Sequence, residues 1–289
     1  MAAASNGPTP TVSICIPVYN GAASIGQALD SAIAQTFGDI EIVVVDNAST
    51  DDTLDVVATR DDPRIRLFVN ESNLGAGCNW NHAVAEARGE FVKILCADDY
   101  LRPECVERQL AALRDPANSS AVLVSNAREI VDESGHRLFV RSFGGKTRLV
   151  PGRDAMRSIV RKGSNLIGEP SAVMFRATAI AKAGEFQVES TYCGDLDMWV
   201  RMLRDGDLVV LDEILSAYRV SSQSWTFAVM DRQTSDVRDM LQRIGDDSSF
   251  GMTDFDVWLG KQRVRLTTAE RRAFYRFIVA PREKRLAGK

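Results

Sequence analysis

The chain has 289 residues, with 35 basic and 39 acidic side chains, a net charge of −4 and 45% apolar residues. That length buries one large or two modest cores, and the charge balance leaves no footprint for nucleic acid. No apolar run approaches the roughly 20 residues of a membrane-spanning helix, and five cysteines without a C-x-x-C pair point to reduced, buried thiols in a cytosolic protein.

Met1 to Pro10 is small and polar and lacks the basic–apolar pattern of a signal peptide, so a disordered leader over 1–10 is expected. Val12 to Val18 is the first strand, with Pro17, which has no N–H, near its end. Tyr19-Asn20-Gly21 is a turn. Ser24 and Gln27 resemble a capping box opening a helix whose apolar face is Ile25, Leu29, Ala32 and Ile33. Glu41 to Asp46 is a second, nearly all-apolar strand that finishes on a carboxylate. Asn47 to Thr53 supplies a turn and N-cap for a helix through about Thr59. Ile65 to Val69 is a third strand, and Leu74-Gly75-Ala76-Gly77 leads into a helix through Ala87. Phe91 to Leu95 reads as a buried parallel strand that runs into Asp98 and Asp99. The alternation predicts an α/β fold with a mostly parallel sheet flanked by helices.

Val122 to Ser125 could extend that sheet, and Ile130 to Phe139 predicts a hairpin turning at Ser134-Gly135. Helices are expected over Gly152–Lys162 and Leu196–Leu203, and strands over Ala172–Phe175, Leu208–Leu211 and Ile214–Val220. From about Trp225 the pattern is helical and highly charged. A composition shift near Asp115-Pro116 divides 11–115 from 116–224, with a helical extension over 225–289. The join is not linker-like, which suits one continuous domain.

In open α/β sheets ligands sit at the carboxyl ends of strands. Asp98 and Asp99 fall there as adjacent carboxylates, hard oxygen ligands suited to Mg²⁺ or Mn²⁺ and to the phosphates such ions bring. The plain alternative makes Asp99 a helix cap and Asp98 solvated. Asp46 could accept an N–H from a base or cap the next helix. Asp195 and Asp197 open a helix, where they complement its dipole, and one of them could act as a general base. Arg219 could pair with a diphosphate or form a surface salt bridge. Gly75-Ala76-Gly77 begins like a dinucleotide fingerprint, but Trp80 stands at the third glycine position, which favours a tight turn before a helix. Gly144-Gly-Lys-Thr147 lacks the first glycine of a P-loop, and two histidines are too few for a zinc cluster. The basic–aromatic stretch Arg271 to Arg285 could lie on an anionic membrane surface or pack as a terminal helix.

Taken in order, Pro17-Val-Tyr-Asn20, Val44-Val-Asp46-Asn-Ala-Ser49-Thr-Asp51, Asn73-Leu-Gly75 with Asn81, Ala87-Arg-Gly-Glu90 before the acidic pair, Gly194-Asp195-Leu-Asp197-Met-Trp199, and Tyr218-Arg219 resemble the family 2 glycosyltransferases of the GT-A fold. The resemblance covers about Val12 to Ser224. It implies an inverting transfer from a nucleotide-diphosphate sugar, UDP- or dTDP-linked, to an acceptor hydroxyl, in bacterial polysaccharide or surface-glycan synthesis. On it, 11–115 would be the nucleotide-sugar-binding half and 116–224 the acceptor-binding half. Pro17, Tyr19 and Asp46 would hold base and ribose, with Asn20, Ser49, Gly75 and Asn81 beside them. Asp98 would bind Mn²⁺ or Mg²⁺ under the diphosphate, supported by Asp99, and Asp195 would be the catalytic base. Asn165, Glu169, Asp197, Trp199 and Trp225 would face a glycan or lipid-linked glycan acceptor.

Two departures stand out. Cys96 replaces a frequent Asp two residues before the metal ligand, and Ser221 or Ser222 stands where a His is common. Arg219 or Lys93 would then share the phosphate charge. Gly194 replaces a frequent Glu, leaving Asp195 without an acidic neighbour on that side. The rival readings are a sugar nucleotidyltransferase, for which the Tyr19–Ser24 loop lacks its basic residue, and a degenerate sugar-nucleotide-binding module.

Overall fold

The computed structural model describes residues 9–188, 192–222 and 224–287. The expected leader falls mostly on 1–8, outside the described residues. Strands β1 (Val12–Val18) and β2 (Ile40–Asp46) are buried along their whole length, as parallel strands with helices on both faces must be. They lie inside a ten-stranded sheet ordered β3-β2-β1-β4-β9-β6-β10-β5. Here β3 is Ile65–Val69, β4 Phe91–Ile94, β5 Tyr100–Leu101, β6 Ala121–Val131, β9 Val173–Arg176 and β10 Asp207–Arg219. The outlying β7 (Arg137–Arg141) pairs with β6, and β8 (Arg148–Val150) with β10. β3, β2, β1 and β4 are mutually parallel, and β9 is the antiparallel strand between β4 and β6. All ten strands share this one sheet, so it runs unbroken across the Asp115-Pro116 join.

The period of two along each strand separates two cores. Val12, Ile14, Ile16 and Val18 pack toward α1 (Ile25–Ile33), α2 (Thr53–Ala58) and α4 (Cys105–Arg114). Cys15, Val43, Val45 and Ile94 pack toward the other face. That face is covered by α3 (Ala76–Ala85), α5 (Gly152–Lys162), α6 (Ala177–Ala183) and α7 (Gly194–Leu203). The C-terminal extension continues with α8 (Trp225–Ala228), α9 (Gln233–Asp246), α10 (Asp254–Phe274) and α11 (Ala280–Ala287). α10 crosses α5 at Gly260, where a Cβ would stand 2.1 Å from Val160 O, so only glycine allows the approach.

Three sequence expectations change. Ser24 is the N-cap of α1 without a side-chain cap bond: its hydroxyl turns back to the Gly21 carbonyl (3.5 Å), and the Gln27 N–H goes to the Ser24 carbonyl (3.0 Å). Leu208–Leu211 and Ile214–Val220 belong to one strand, β10. A register shift against β6 between Leu211 and Ile214 exposes Asp212, Glu213 and Ile214 at its middle. Asp99 caps no helix: α4 starts at Cys105 with Glu104 as N-cap, and Asp99 precedes β5.

Candidate functional site

Because β1, β2 and β4 are parallel and in register, Val18, Asp46 and the segment after Ile94 end at one sheet edge. Two turns clip together there. Asn20 N donates to Ser49 Oγ (2.8 Å), Thr50 N to Asn20 Oδ1 (2.8 Å) and Ala22 N to Asp51 Oδ2 (3.1 Å). Asn20 and Ser49 thus shape the edge, while the Tyr19 side chain stands exposed. Pro17 lies beyond the β1–β4 ladder, which ends at Cys15, so its missing N–H costs nothing there. Asp46 is fully buried. Its Oδ2 accepts Ser49 N (2.9 Å), whereas Oδ1 has no partner among the described residues.

A polar net holds the 70–75 loop over these strand ends. Asn47 Nδ2 donates to Asn73 Oδ1 (2.9 Å), Asn70 Nδ2 to Asn47 Oδ1 and Asn79 Oδ1 (both 2.9 Å), and Asn79 Nδ2 to Val45 O (3.1 Å). Asn70, Asn79 and His82, whose Nδ1 meets Asn70 Oδ1 at 2.7 Å, were missed from the sequence; amides inside an apolar helical pattern were the available signal. Asn81 instead clips α3 to the later chain, bonding Phe186 O and N.

A cleft of about 290 Å³ opens beside this edge. Leu74, Gly75, Gly77 and Trp80 form one wall, Cys96 and Asp98 the floor, and Glu169, Tyr192 and Asp195 the far wall. Gly75 caps α3 at φ 81, a left-handed conformation that favours glycine. The cleft brings together Gly75, Asp98, Glu169 and Asp195, drawn from distant stretches. Burial raises the Asp98 carboxyl above its ordinary range. Asp99 is sealed beneath: Oδ2 accepts Ser171 Oγ (2.5 Å) and Oδ1 accepts Arg219 N (2.9 Å). Burial and then Asp98 drive its carboxyl well up. One ligand atom each from Cys96, Asp98 and Asp99 lies within 4.8 Å of the others. Asp98, facing the cleft, is the hard oxygen donor in that group; both Asp99 oxygens are engaged, so Asp99 supports from below. Such a set fits a divalent cation that takes its remaining ligands from a substrate diphosphate.

Asp195 lies in the first turn of α7, half-buried, with Oδ1 accepting Leu196 N (2.7 Å) and Oδ2 accepting Asn165 Nδ2 (3.0 Å). Burial first, and Glu169 second, push it up to about 7. The acidic neighbour missing at Gly194 is therefore supplied by Glu169 through space. Burial alone would raise Glu169, but Arg128 and Arg141 outweigh it and hold it at about 2, with Arg128 Nε 2.5 Å from Oε2. Behind Asp195 the cleft deepens into a recess of about 60 Å³.

Several expected site residues lie elsewhere. Lys93 shares the strand face of Phe91 and Leu95, not that of the cleft, and is buried under α4. Its Nζ donates to Gln109 Oε1 (3.0 Å) and Ser171 O (2.8 Å), so it is not placed to share phosphate charge. Arg219 is a strap and not an open cation: it donates to Asp98 O (2.9 Å), Asp132 O (3.1 Å), Glu133 O (2.7 Å) and Gln27 Oε1 (2.5 Å). Asp197 turns away to Arg201 (2.8 Å) and Arg243 (3.1 Å). Trp199 is core, packed on Phe175 and donating Nε1 to Gly168 O (3.1 Å). The Trp225 side chain lies outside the described residues. Ser221 Oγ donates to Glu133 Oε1 (2.6 Å), away from the cleft. The basic–aromatic tail divides: Arg271 lines the recess and Tyr275 is buried, while Phe277 is 68% exposed. Among the described residues no helix is long and apolar enough to cross a membrane.

The family model for glycosyl transferase family 2 matches residues 13–182. The chain is 32% identical over 234 residues to the uncharacterized protein MT1568 of Mycobacterium tuberculosis, covering 78% of this chain and 72% of that one. It is 32% identical to the uncharacterized glycosyltransferase RT0329 of Rickettsia typhi, over 75% of this chain and 66% of the relative. It is 35% identical to the succinoglycan biosynthesis protein ExoO of Rhizobium meliloti, over 48% and 39%. The chain thus spans less than two thirds of RT0329 and ExoO. Among solved structures, S. aureus TarS 1–349 in complex with UDP-GlcNAc superposes with a TM-score of 0.70 at 19% identity, covering 94% of this chain and 77% of that one. The mannosyltransferase PcManGT of Pyrobaculum calidifontis, in complex with GDP-Man and Mn²⁺, does so at 0.64 and 20%, covering 97% and 79%. These two likenesses show the GT-A fold.

Proposed function

The chain belongs to glycosyltransferase family 2, an inverting family, and from that premise we propose that it transfers a sugar from a UDP- or dTDP-sugar to a hydroxyl of a glycan or lipid-linked glycan, in bacterial polysaccharide or surface-glycan assembly. The observation that carries this reading is the single cleft into which Asp98 and Asp195 both open. ExoO, a named polysaccharide-biosynthesis protein, supports the setting, and the UDP-GlcNAc complex of TarS supports the donor class.

Asp195 takes the proton of the acceptor hydroxyl as that oxygen bonds to the anomeric carbon. The carbon–phosphate oxygen bond breaks on the opposite face, and the nucleoside diphosphate leaves with the electron pair. A base poised near 7 accepts this proton readily at neutral pH and returns it to solvent. Asp98 would hold Mn²⁺ or Mg²⁺, with Asp99 behind it, while the Cys96 thiol beside them, pushed up by burial, is no ligand for a hard cation. That ion would neutralise charge gathering on the departing diphosphate. Arg219 fixes the Asp98 loop by its backbone carbonyl. The nucleobase belongs at the Tyr19–Asp46 edge, where the unpartnered Asp46 Oδ1 is an acceptor for a ring N–H. That atom is closed to solvent, so nucleotide binding entails a local opening of the edge. Asn165 and Glu169 hold and tune Asp195 on the acceptor side.

The test is calorimetric titration of UDP and dTDP with Mn²⁺ and with EDTA, on wild type and Asp98→Asn. Tighter binding with Mn²⁺ in wild type, lost in the variant, is expected. Equal affinity in all four conditions would remove Asp98 from the donor site.

A further inference from the structure

The recess behind Asp195 carries more positive charge than the chain itself balances. It is walled by Asn165, Glu169, Tyr192, Thr226, Gln233 and Arg271. Arg271 and Glu169 stand in electrostatic contact with Arg141, and Arg128 binds Glu169 directly. Arg128 thus binds the Glu169 carboxylate, Arg141 and Arg271 act on it through space, and Arg271 also acts on Asp195; three guanidiniums against two carboxyls leave an excess of at least one positive charge. Among the described residues the Arg141 and Arg271 guanidiniums have no hydrogen bond or ion pair; Arg271 lies 5.4 Å over the Tyr192 ring. Gln233 is 3% exposed and Arg128 1%. Among the described residues, Gln233 Oε1, Tyr192 Oη and Arg128 Nη1 are all buried without partners. Buried polar atoms and unbalanced charge are costly unless something satisfies them.

We propose that this recess is an acceptor subsite for an oxyanion, a carboxylate or phosphate borne by the acceptor glycan next to the hydroxyl that receives the sugar. The proposal rests on the transferase reading above. Arg271 and Tyr192 Oη donate to the oxyanion, Arg141 and Arg128 add charge from behind, and Gln233 Oε1 accepts a sugar hydroxyl. The recess adjoins Asp195 but is not lined by Asp98, so it lies on the acceptor side and not under the donor diphosphate. Gln233 and Arg271 come from α9 and α10, which gives the C-terminal extension a part in substrate choice.

The experiment measures thermal shifts of the whole chain, with and without UDP and Mn²⁺, against methyl glucuronide, glucose 6-phosphate and inorganic phosphate. Methyl glucoside is the neutral control. Wild type should bind an anion at least about tenfold more tightly than the neutral sugar, as charge-assisted hydrogen bonds from arginine provide. Glucuronide or sugar phosphate then names the source, while a shift with inorganic phosphate alone shows that no sugar is read and overturns the acceptor assignment. Arg271→Gln should abolish the preference and Arg271→Lys should keep part of it, each with UDP affinity within about twofold of wild type. Arg141→Gln, farther from the cavity wall, repeats the test should Arg271→Gln not fold. No anion preference in wild type, or parallel loss of UDP and anion binding in the variants, overturns the proposal. Loss of UDP binding in wild type would instead count against the donor reading, because the anion arm is also run without UDP.

Discussion

Replacing Asp195 by asparagine separates the roles of this residue in chemistry and in folding. Its carboxyl moves from an ordinary 3.8 to about 7, chiefly through burial and then through Glu169. At 1.36 kcal/mol per unit that is a ceiling of about 4 kcal/mol against the ionised native state, and the half-open side chain reduces it to ~2. The sign follows from the raised folded pKa. The favourable contribution is complete below 3.8 and is lost as pH rises through 7, so above 7 the wild type carries the whole cost. Asparagine carries none of it, but puts an NH₂ where one of the Leu196 and Asn165 donors needs an oxygen, a loss of about 1 kcal/mol. The variant should therefore melt slightly below wild type near pH 4 and above it near pH 8. The swing of ~2 kcal/mol corresponds to about 4–8 °C for a chain of this size. Turnover should fall by roughly 10²–10⁴, and the wild-type kcat/KM should drop below an apparent pKa near 7. UDP affinity should change little. Differential scanning calorimetry from pH 4 to 8 and a nucleotide-release assay check both arms. A melting difference independent of pH, or a variant that still turns over, would refute the reasoning.

Ser171→Ala strips Asp99 Oδ2 and Cys96 N of their partner and should cost about 1–3 kcal/mol, read as a lower melting temperature together with weaker Mn²⁺-dependent UDP binding. Lys93→Met preserves volume but abandons Gln109 Oε1 and Ser171 O; stability should fall by about 1–3 kcal/mol while the UDP dissociation constant holds. A tenfold weaker UDP affinity would return Lys93 to the phosphate site. Asp256→Asn removes the capping-box acid that also binds Arg161 (2.5 Å), and should cost about 1–2 kcal/mol at neutral pH. The Asp256 carboxyl is held at about 2, below its ordinary 3.8, by Thr253 and Arg161 against the opposing pull of burial. Its contribution is therefore present above pH 4 and fades as pH falls through 2, and acid titration of both proteins by circular dichroism should show the difference closing there.

The sheet edge was legible because it repeats short-range rules. Short, nearly continuous apolar runs named β1 to β4 within a residue or two, and a parallel sheet puts the ends of such strands on one side. Some errors were also decidable locally. Lys93 shares the parity of Phe91 and Leu95, so a strand that buries those two toward α4 must send Lys93 the same way. Asp195 and Asp197 are two apart on a helix, roughly 200° around it, so only one of them can face the cleft. The Arg219 donors, in contrast, are consumed by carbonyls of Asp98, Asp132 and Glu133, which no spacing in the chain announces.

The chemistry above the edge depends on pairings of another kind. Asp195 owes its poise to Glu169, and Glu169 owes its ionisation to Arg128 and Arg141 on β6 and β7. Arg271 arrives only because Gly260 lets α10 settle onto α5. A strand end can be read from its neighbours in sequence, since backbone geometry fixes where it points. The proton affinity of a carboxylate cannot, because it sums charges whose distances are set by packing between elements far apart in the chain. Position was thus readable before function was tuned. The residues most informative about the acceptor, Gln233 and Arg271, lie in the helical stretch whose local pattern said least.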